Sequence, residues 1–200
     1  MDVTTPGTND VRRFVVSASL VFAVLLTAGA VVLLRVRGVA IVSVFDTARW
    51  WAHAGIGVAV GATAGSVCGW VVSRARPLAR LRRLAHDAVD GIEPRWHTIL
   101  AVAIAAGASE EFFFRGALEP AVGRWVGAVG FVALHGALRI RDRGGMVFAL
   151  FLFAASLGLS WLRSWRGLEC AMAAHAAYDA AVLAWLVRGS RRALLTRRPL

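Results

Sequence analysis

Residues 96–118 read WHTILAVAIAAGASEEFFFRGAL, an apolar run that contains two carboxylates and a guanidinium. A helix of about 20 apolar residues crosses a hydrocarbon core of roughly 30 Å. An ionisable group at that depth costs roughly 3 kcal/mol or more, so each one needs a partner or a function. Glu111 and Arg115 are four residues apart on one helix face and are expected to pair. Glu110 is rotated by about 100° from Glu111 and is free to face another neighbour.

The whole chain has the composition of a membrane protein. It has 200 residues, of which 58% are hydrophobic and 18% are charged, and its mean hydropathy is +0.63. Soluble domains are about 45–50% apolar and about 25% charged, so the composition excludes a water-soluble globule. We predict an all-α polytopic membrane bundle of about six transmembrane helices. The predicted spans are residues 14–34, 51–72, 96–118, 123–138, 145–162 and 168–187.

These spans predict three parts of the chain. Residues 1–95 hold two transmembrane helices and a basic loop, residues 96–187 hold a core of four transmembrane helices, and residues 188–200 form a basic tail. The segment from Arg74 to Pro94 alternates arginines with leucines, which fits either a helix on the membrane surface or a solvated loop.

A stripe of small residues marks the second span. Gly57, Gly61, Gly65 and Gly69 recur every four residues and therefore lie on one helix face. Such a face allows another backbone to approach closely. We interpret the stripe as a packing signal without chemistry.

The cations are all arginines, and the formal net charge is +11. The arginines flank the apolar spans in short clusters, a pattern that sets membrane orientation and is not typical of nucleic-acid binding. With the amino terminus inside, the cytoplasmic segments hold 16 arginines and the outer segments hold six. We therefore expect an integral protein of a bacterial cytoplasmic membrane, with both termini in the cytoplasm and no nucleic-acid partner. The oligomeric state stays open. This orientation puts the Arg115 end of the third span on the outer side, where a site would serve exported substrates.

Two further spans carry ionisable side chains. Phe131 and His135 are four residues apart in the fourth span, and His175 and Asp179 are four apart in the sixth. We expect His135 to lie well inside its span, so that three helices bring polar groups to a similar depth. Unpaired polar groups on three membrane helices are costly unless they are used, which favours a functional role for Glu110, His135 and His175.

Three motifs therefore occur in order: Glu-Glu-x-x-x-Arg at 110–115, Phe-x-x-x-His at 131–135 and His-x-x-x-Asp at 175–179. The set resembles the CAAX protease and bacteriocin-processing family (CPBP, or Abi) of glutamic-type intramembrane endopeptidases, over residues 96–187. The resemblance implies hydrolysis of a peptide bond in a protein or peptide substrate, with no metal and no other cofactor. Leader-peptide processing, bacteriocin processing and removal of a carboxy-terminal sorting tag are all compatible with it.

The resemblance also implies roles for single residues. Glu110 and His135 would activate a water that attacks the peptide carbonyl, and His175 and Asp179 would stabilise the oxyanion. An ionised aspartate cannot donate a hydrogen bond, and the chain has no Gln and a single Asn, Asn9. We therefore predict that Asp179 orients His175 and favours an imidazolium, which is the donor.

The other motif residues are expected to support the site. Glu111 and Arg115 would form a structural pair that fixes the third helix, and Phe131 would support the site from the fourth span. Outside the motifs, Glu119 and Arg124 are expected to be solvated loop residues.

Two other function classes fit the same side chains. A zinc-dependent membrane hydrolase could use Glu110, His135 and His175 as ligands and a metal-bound water as nucleophile. The chain lacks the two-histidine helix motif of zincins. A non-catalytic immunity or scaffold protein could instead keep the same groups as a polar packing core.

Overall fold

The computed structural model describes residues 8–75, 78, 82, 96–137 and 143–196, with side chains only between residues 16 and 186. These residues form six main helices and contain no β-strand, which confirms the all-α prediction. The helices are α1 Thr8–Val31, α2 Trp50–Arg74, α3 Trp96–Glu111, α4 Arg124–Leu134, α5 Arg143–Arg166 and α6 Leu168–Thr196. The segment from Arg74 to Pro94, which fits either a surface helix or a solvated loop, lies almost entirely outside the described residues, as do the side chains of the basic tail.

Four helices of the described part are long and apolar enough to cross a membrane. They cover Val16–Val36, Trp50–Arg74, Trp96–Val122 and Arg143–Arg166. α6 is 29 residues long, whereas α4 has only 11 residues and is about 16 Å long. The predicted fourth span, residues 123–138, is therefore a short helix of about half the hydrocarbon thickness.

α4 is short because the backbone turns at Gly136. This glycine adopts a φ of +67°, in the left-handed region where a side chain is unfavourable. Its N–H donates to the carbonyl of Ala133, and the N–H of His135 donates to the carbonyl of Phe131, which closes the last turn. The prediction that His135 lies well inside its span is thus wrong, because His135 is the C-cap of α4.

The carboxyl end of α3 departs from regular α geometry. After Glu111 the backbone continues as a π-helix, Phe112–Leu118, and then as a short α-helical turn, Glu119–Val122. Pro120 has no N–H to donate, and its ring crowds the carbonyl one turn earlier, so the α-helical ladder cannot run through it. π-helical turns occur mostly as bulges and often at functional sites. The π-helix begins at Phe112, directly after Glu110 and Glu111.

α6 is held tightly between α2 and α3. The most extensive helix–helix interface joins α2 and α6. A methyl group added at Gly61 would overlap the backbone of Ala174, and one added at Gly65 would lie 2.6 Å from the carbonyl oxygen of Tyr178. On the other side, a methyl group at Gly107 of α3 would lie 2.7 Å from the backbone nitrogen of Ala176. The glycine stripe is therefore a packing surface, as predicted.

We predict that Gly61→Ala destabilises the bundle, although alanine is the better helix former. The added methyl meets the Ala174 backbone, which cannot move away as a flexible side chain would. Overpacking of this kind costs about 1–3 kcal/mol. Thermal unfolding in detergent micelles should show a lower Tm for Gly61→Ala.

Gly55→Ala is the matched control on the same helix, because nothing lies within 4 Å of the position of its added methyl group. This variant should keep or slightly raise the Tm. Equal Tm values for the two variants would contradict the packing role of the stripe.

Candidate active site

The side chain of Glu110 projects from the last turn of α3 towards the end of α4. Its Oε2 atom lies 3.6 Å from Nε2 of His135. Among the described residues, this carboxylate oxygen is buried and accepts no hydrogen bond from the protein. Glu110 and His135, which the sequence places in separate spans, are thus neighbours in the fold.

The backbone of α4 fixes which nitrogen of His135 faces Glu110. Nδ1 lies 2.8 Å from the carbonyl oxygen of Phe131, a group that can only accept, so Nδ1 carries a hydrogen and donates it. In the neutral ring Nε2 is then an acceptor. A carboxylate oxygen and an imidazole nitrogen that both accept can be satisfied together by one molecule that donates to each, such as water.

His175 has a carboxylate at each ring nitrogen. Nδ1 lies 2.8 Å from Oε1 of Glu111, and Nε2 lies 3.5 Å from Oδ2 of Asp179. Two acceptors around one ring fit an imidazolium, which donates from both nitrogens. The predicted contact with Asp179 is present, but the hydrogen bond of the His175 ring is accepted by Glu111. The sequence analysis paired Glu111 with Arg115 alone and missed this second partner.

The ring of Phe131 joins the motif residues of all three helices. Its centroid lies 4.3 Å from that of His135 and 6.0 Å from that of His175. The guanidinium carbon of Arg115 lies 4.6 Å from the same centroid, a cation–π distance. The ring also packs edge-on against Phe114 at 5.2 Å. Phe131 therefore sets the spacing between the two histidines.

Arg115 and Glu111 form the predicted pair, at 2.8 Å between Nη1 and Oε1, with both side chains at most 1% exposed. The pair continues into α5, where Nη2 of Arg115 donates to both the hydroxyl and the carbonyl oxygen of Ser156, at 2.7 and 3.0 Å. The sequence analysis missed Ser156. A serine in an apolar helix carries no motif signal, because most such hydroxyls bond to their own helix.

The structure also corrects the prediction for Glu119. It was expected in a solvated loop, but it is 8% exposed and accepts a hydrogen bond of 2.6 Å from Ser160. The π-helix turns this carboxylate inwards beneath α5. Arg124 is exposed, as expected, but it begins α4 and does not lie in a loop.

The cluster is closed at one end and open at the other. Glu111, Arg115 and Ser156, which lie towards the carboxyl end of α3, are fully buried. The side chains of His135 and Asp179 are 29% and 30% exposed, and that of Glu110 is 13% exposed. His135 lies about 16 Å along α4 from Arg124, where α4 begins. Access is therefore from the side where α4 ends and α5 begins.

Metal binding was tested against the same geometry. Within the described residues, no group of three His, Cys, Asp or Glu side chains is arranged to hold a metal ion. The residues proposed as zinc ligands therefore do not form a ligand set in this arrangement.

We predict that Arg115→Ala strongly destabilises the protein. The substitution leaves the buried carboxylate of Glu111 with one donor fewer, and removal of one partner of a buried ion pair costs about 3–5 kcal/mol. The measurement is thermal unfolding in detergent micelles, together with the abundance of the protein in the membrane.

Arg124→Ala is the matched control, since it removes an exposed arginine from a nearby position. It should change the Tm by no more than a degree or two. If Arg115→Ala were as stable as Arg124→Ala, the buried pair would not be essential to the fold.

Comparison with known proteins supports the resemblance. Residues 92–181 match the model of the family described as type II CAAX prenyl endopeptidase Rce1-like. No curated protein and no solved structure matches the chain significantly. The matched segment contains all three motifs and just under half of the chain. Residues 92–181 are thus similar to the Rce1-like family of endopeptidases, which confirms the resemblance predicted from the motifs.

Proposed function

We propose that this chain is an intramembrane endopeptidase in which Glu110 and His135 activate a water molecule. One observation carries the proposal: Oε2 of Glu110 and Nε2 of His135 lie 3.6 Å apart, while Nδ1 of His135 is held by the carbonyl of Phe131. Two acceptors at this distance form a binding site for a donor with two hydrogens. Membership of residues 92–181 in an endopeptidase family supports the same reaction class.

The proposed reaction begins with proton transfer from the water to Glu110. The water oxygen forms a bond to the carbonyl carbon of the scissile peptide, and the carbonyl electron pair moves to its oxygen. The tetrahedral intermediate then collapses, the carbon–nitrogen bond breaks, and the proton held by Glu110 passes to the leaving amine, directly or through Nε2 of His135. Water is the only co-reactant, and the products are a carboxylate and an amine.

His175 is proposed to stabilise the oxyanion. Its ring is held between Glu111 and Asp179, which favours the imidazolium form without a change in geometry during the reaction. A preorganised donor in a site with little water contributes substantially to such reactions. Asp179 acts through His175, because a carboxylate has no hydrogen to offer the oxyanion.

The proposed substrate is a protein or peptide segment that enters the cluster from its exposed edge. The arginine distribution supports an orientation with both termini in the cytoplasm of a bacterial cell. In that orientation the edge formed by His135 and Asp179 faces the cytoplasm, and not the outer side where the sequence analysis expected the site. The burial of Arg115 and Ser156 argues against access from the outer side.

The two alternative classes receive less support from the same contacts. A zinc hydrolase would need at least three ligand side chains around one point, and no such group of His, Cys, Asp or Glu occurs among the described residues. A packing core explains the bonded pair of Glu111 and Arg115, but it gives no role to the contact of Glu110 with His135 at the exposed edge of the cluster.

We predict that Glu110→Gln and His135→Ala each abolish cleavage while leaving the protein in the membrane at normal abundance. Glutamine keeps the shape of glutamate but cannot accept the proton of the water. The measurement is comparative peptide mapping of membrane and secreted proteins from cells with each variant, which also identifies the cut site. Chelators should leave cleavage intact.

Glu169→Gln and His97→Ala are the matched controls, with the same chemical changes outside the cluster. Both should retain cleavage. Processing that persists in Glu110→Gln would refute the glutamate mechanism, and a loss of abundance without a stable inactive form would favour the packing role.

We predict that Asp179→Asn lowers kcat by about tenfold and alters the pH profile of cleavage. Asparagine can still accept from Nε2 of His175, but the charge that favours the imidazolium is lost, a difference of about 1.4 kcal/mol for one charge-assisted contact. Asp46→Asn, in an exposed turn, makes the same change elsewhere and should have no effect. Full activity with an unchanged pH profile would show that the negative charge is dispensable.

A further inference from the structure

A serine outside the three motifs reaches the cluster from α5. Ser156 is 1% exposed and accepts from Arg115 through both its hydroxyl and its carbonyl oxygen, at 2.7 and 3.0 Å. We infer that Ser156 is a positioning residue that holds Arg115 in an orientation in which Glu111 remains available to His175. The inference rests on the proposed function in so far as His175 takes part in the reaction.

One oxygen atom of Glu111 accepts hydrogen bonds from two donors. Oε1 accepts from Nη1 of Arg115 and from Nδ1 of His175, each at 2.8 Å. The other oxygen, Oε2, is buried and accepts from no donor among the described residues. Arginine and carboxylate groups frequently pair through both oxygens and two N–H groups in parallel. Here the pairing uses only one oxygen of Glu111.

Ser156 explains why the second bond is not made. The guanidinium is planar and its N–H groups point in fixed directions. Nη2, which could turn to the second oxygen of Glu111, is instead bonded to both oxygens of Ser156. The face of the guanidinium lies against the ring of Phe131, which limits its rotation. Without the hydroxyl of Ser156, Arg115 can turn towards Glu111, and the carboxylate moves away from His175.

The neighbouring serines of α5 show that this contact is unusual. The hydroxyl of Ser164 donates to the carbonyl of Ser160 in its own helix, which is the ordinary way for a membrane helix to satisfy a serine. Ser160 donates to Glu119 and so holds the next turn of α5 against the end of α3. Only Ser156, of these three, contacts Arg115.

The experiment compares Ser156→Ala with Ser164→Ala in the full-length protein in detergent micelles. Ring nitrogens of ¹⁵N-labelled histidines are observed by NMR, with signals assigned by His→Asn variants. We expect the Nδ1 signal of His175 to move in Ser156→Ala and that of His135 to stay, because only His175 shares an oxygen with Arg115. In Ser164→Ala neither signal should move. An unchanged His175 signal in Ser156→Ala would overturn the inference.

A kinetic measurement adds the functional consequence. The probe is a synthetic peptide that spans the cut site identified by peptide mapping. Ser156→Ala should lower kcat about tenfold, the usual effect of one lost hydrogen bond to a charged group, and leave KM within about twofold. Ser156→Thr keeps the hydroxyl and should recover kcat, whereas Ser156→Cys, of similar size but with a weak acceptor, should resemble alanine.

The two proposals fail in different ways. If Glu110→Gln retains cleavage, the proposed mechanism is wrong, and the NMR comparison still tests the contact of Ser156. If Glu110→Gln is inactive but Ser156→Ala keeps both kcat and the His175 signal, only the positioning role is wrong. A general loss of structure would lower the Tm and shift both histidine signals, and this result would also count against a specific positioning role.

Discussion

The structure depends on one buried carboxylate, that of Glu111. It is completely shielded from solvent and lies within a helix that is apolar enough to cross a membrane. A charge at such a position must be paired and hydrogen-bonded, because its desolvation costs several kcal/mol. Arg115 supplies the opposite charge from the same helix, His175 supplies a donor from α6, and Ser156 fixes Arg115 from α5. The need to pair this one buried charge thus links α3, α5 and α6 at the depth of the site.

Close packing places these donors within reach. α6 can approach α3 and α2 only because Gly107 and the glycine stripe of α2 have no side chains at the contact. The approach brings His175 to Glu111 and Asp179 to the open edge. The π-helix after Glu111 turns Glu119 inwards to Ser160, so that the end of α3 is bonded to α5. The small residues and the irregular turn therefore act on the site through distance and direction, although none of them carries chemistry.

Much of this arrangement follows from the sequence. The apolar runs predict the helices to within a few residues for α2 and α3, and the spacing of four between Glu111 and Arg115 predicts their pair. What the sequence does not predict depends on contacts between helices. The spacing of four predicts the contact of His175 with Asp179, but not the one with Glu111, which is 64 residues away along the chain. The contact of Ser156 with Arg115 is likewise not predicted, because the two residues are 41 positions apart along the chain.

Local backbone geometry accounts for the other differences. Hydropathy alone extends α4 to residue 138, because the residues around His135 are apolar. The positive φ of Gly136 ends the helix earlier, and this conformation depends on the tertiary structure as much as on the glycine. The π-helix is likewise invisible to a pattern that assumes 3.6 residues per turn. The turn at Gly136 and the π-helix both lie next to residues of the cluster, where a regular α-helix would point the side chains in other directions.

The adjacent glutamates show how one helix can separate structure from chemistry. Glu110 and Glu111 have the same side chain and differ by one position, which turns them about 100° apart. Glu111 faces the closed end, where its Oε1 atom accepts from both Arg115 and His175. Glu110 faces the open edge, where its Oε2 atom has a histidine nitrogen nearby but no protein donor in the described chain. A carboxylate oxygen held by two donors is a poor base, and a carboxylate without a protein donor is costly to keep in an apolar helix. The two glutamates resolve this conflict together. Glu111 supplies the rigidity, and Glu110 is left without a protein donor and available to water.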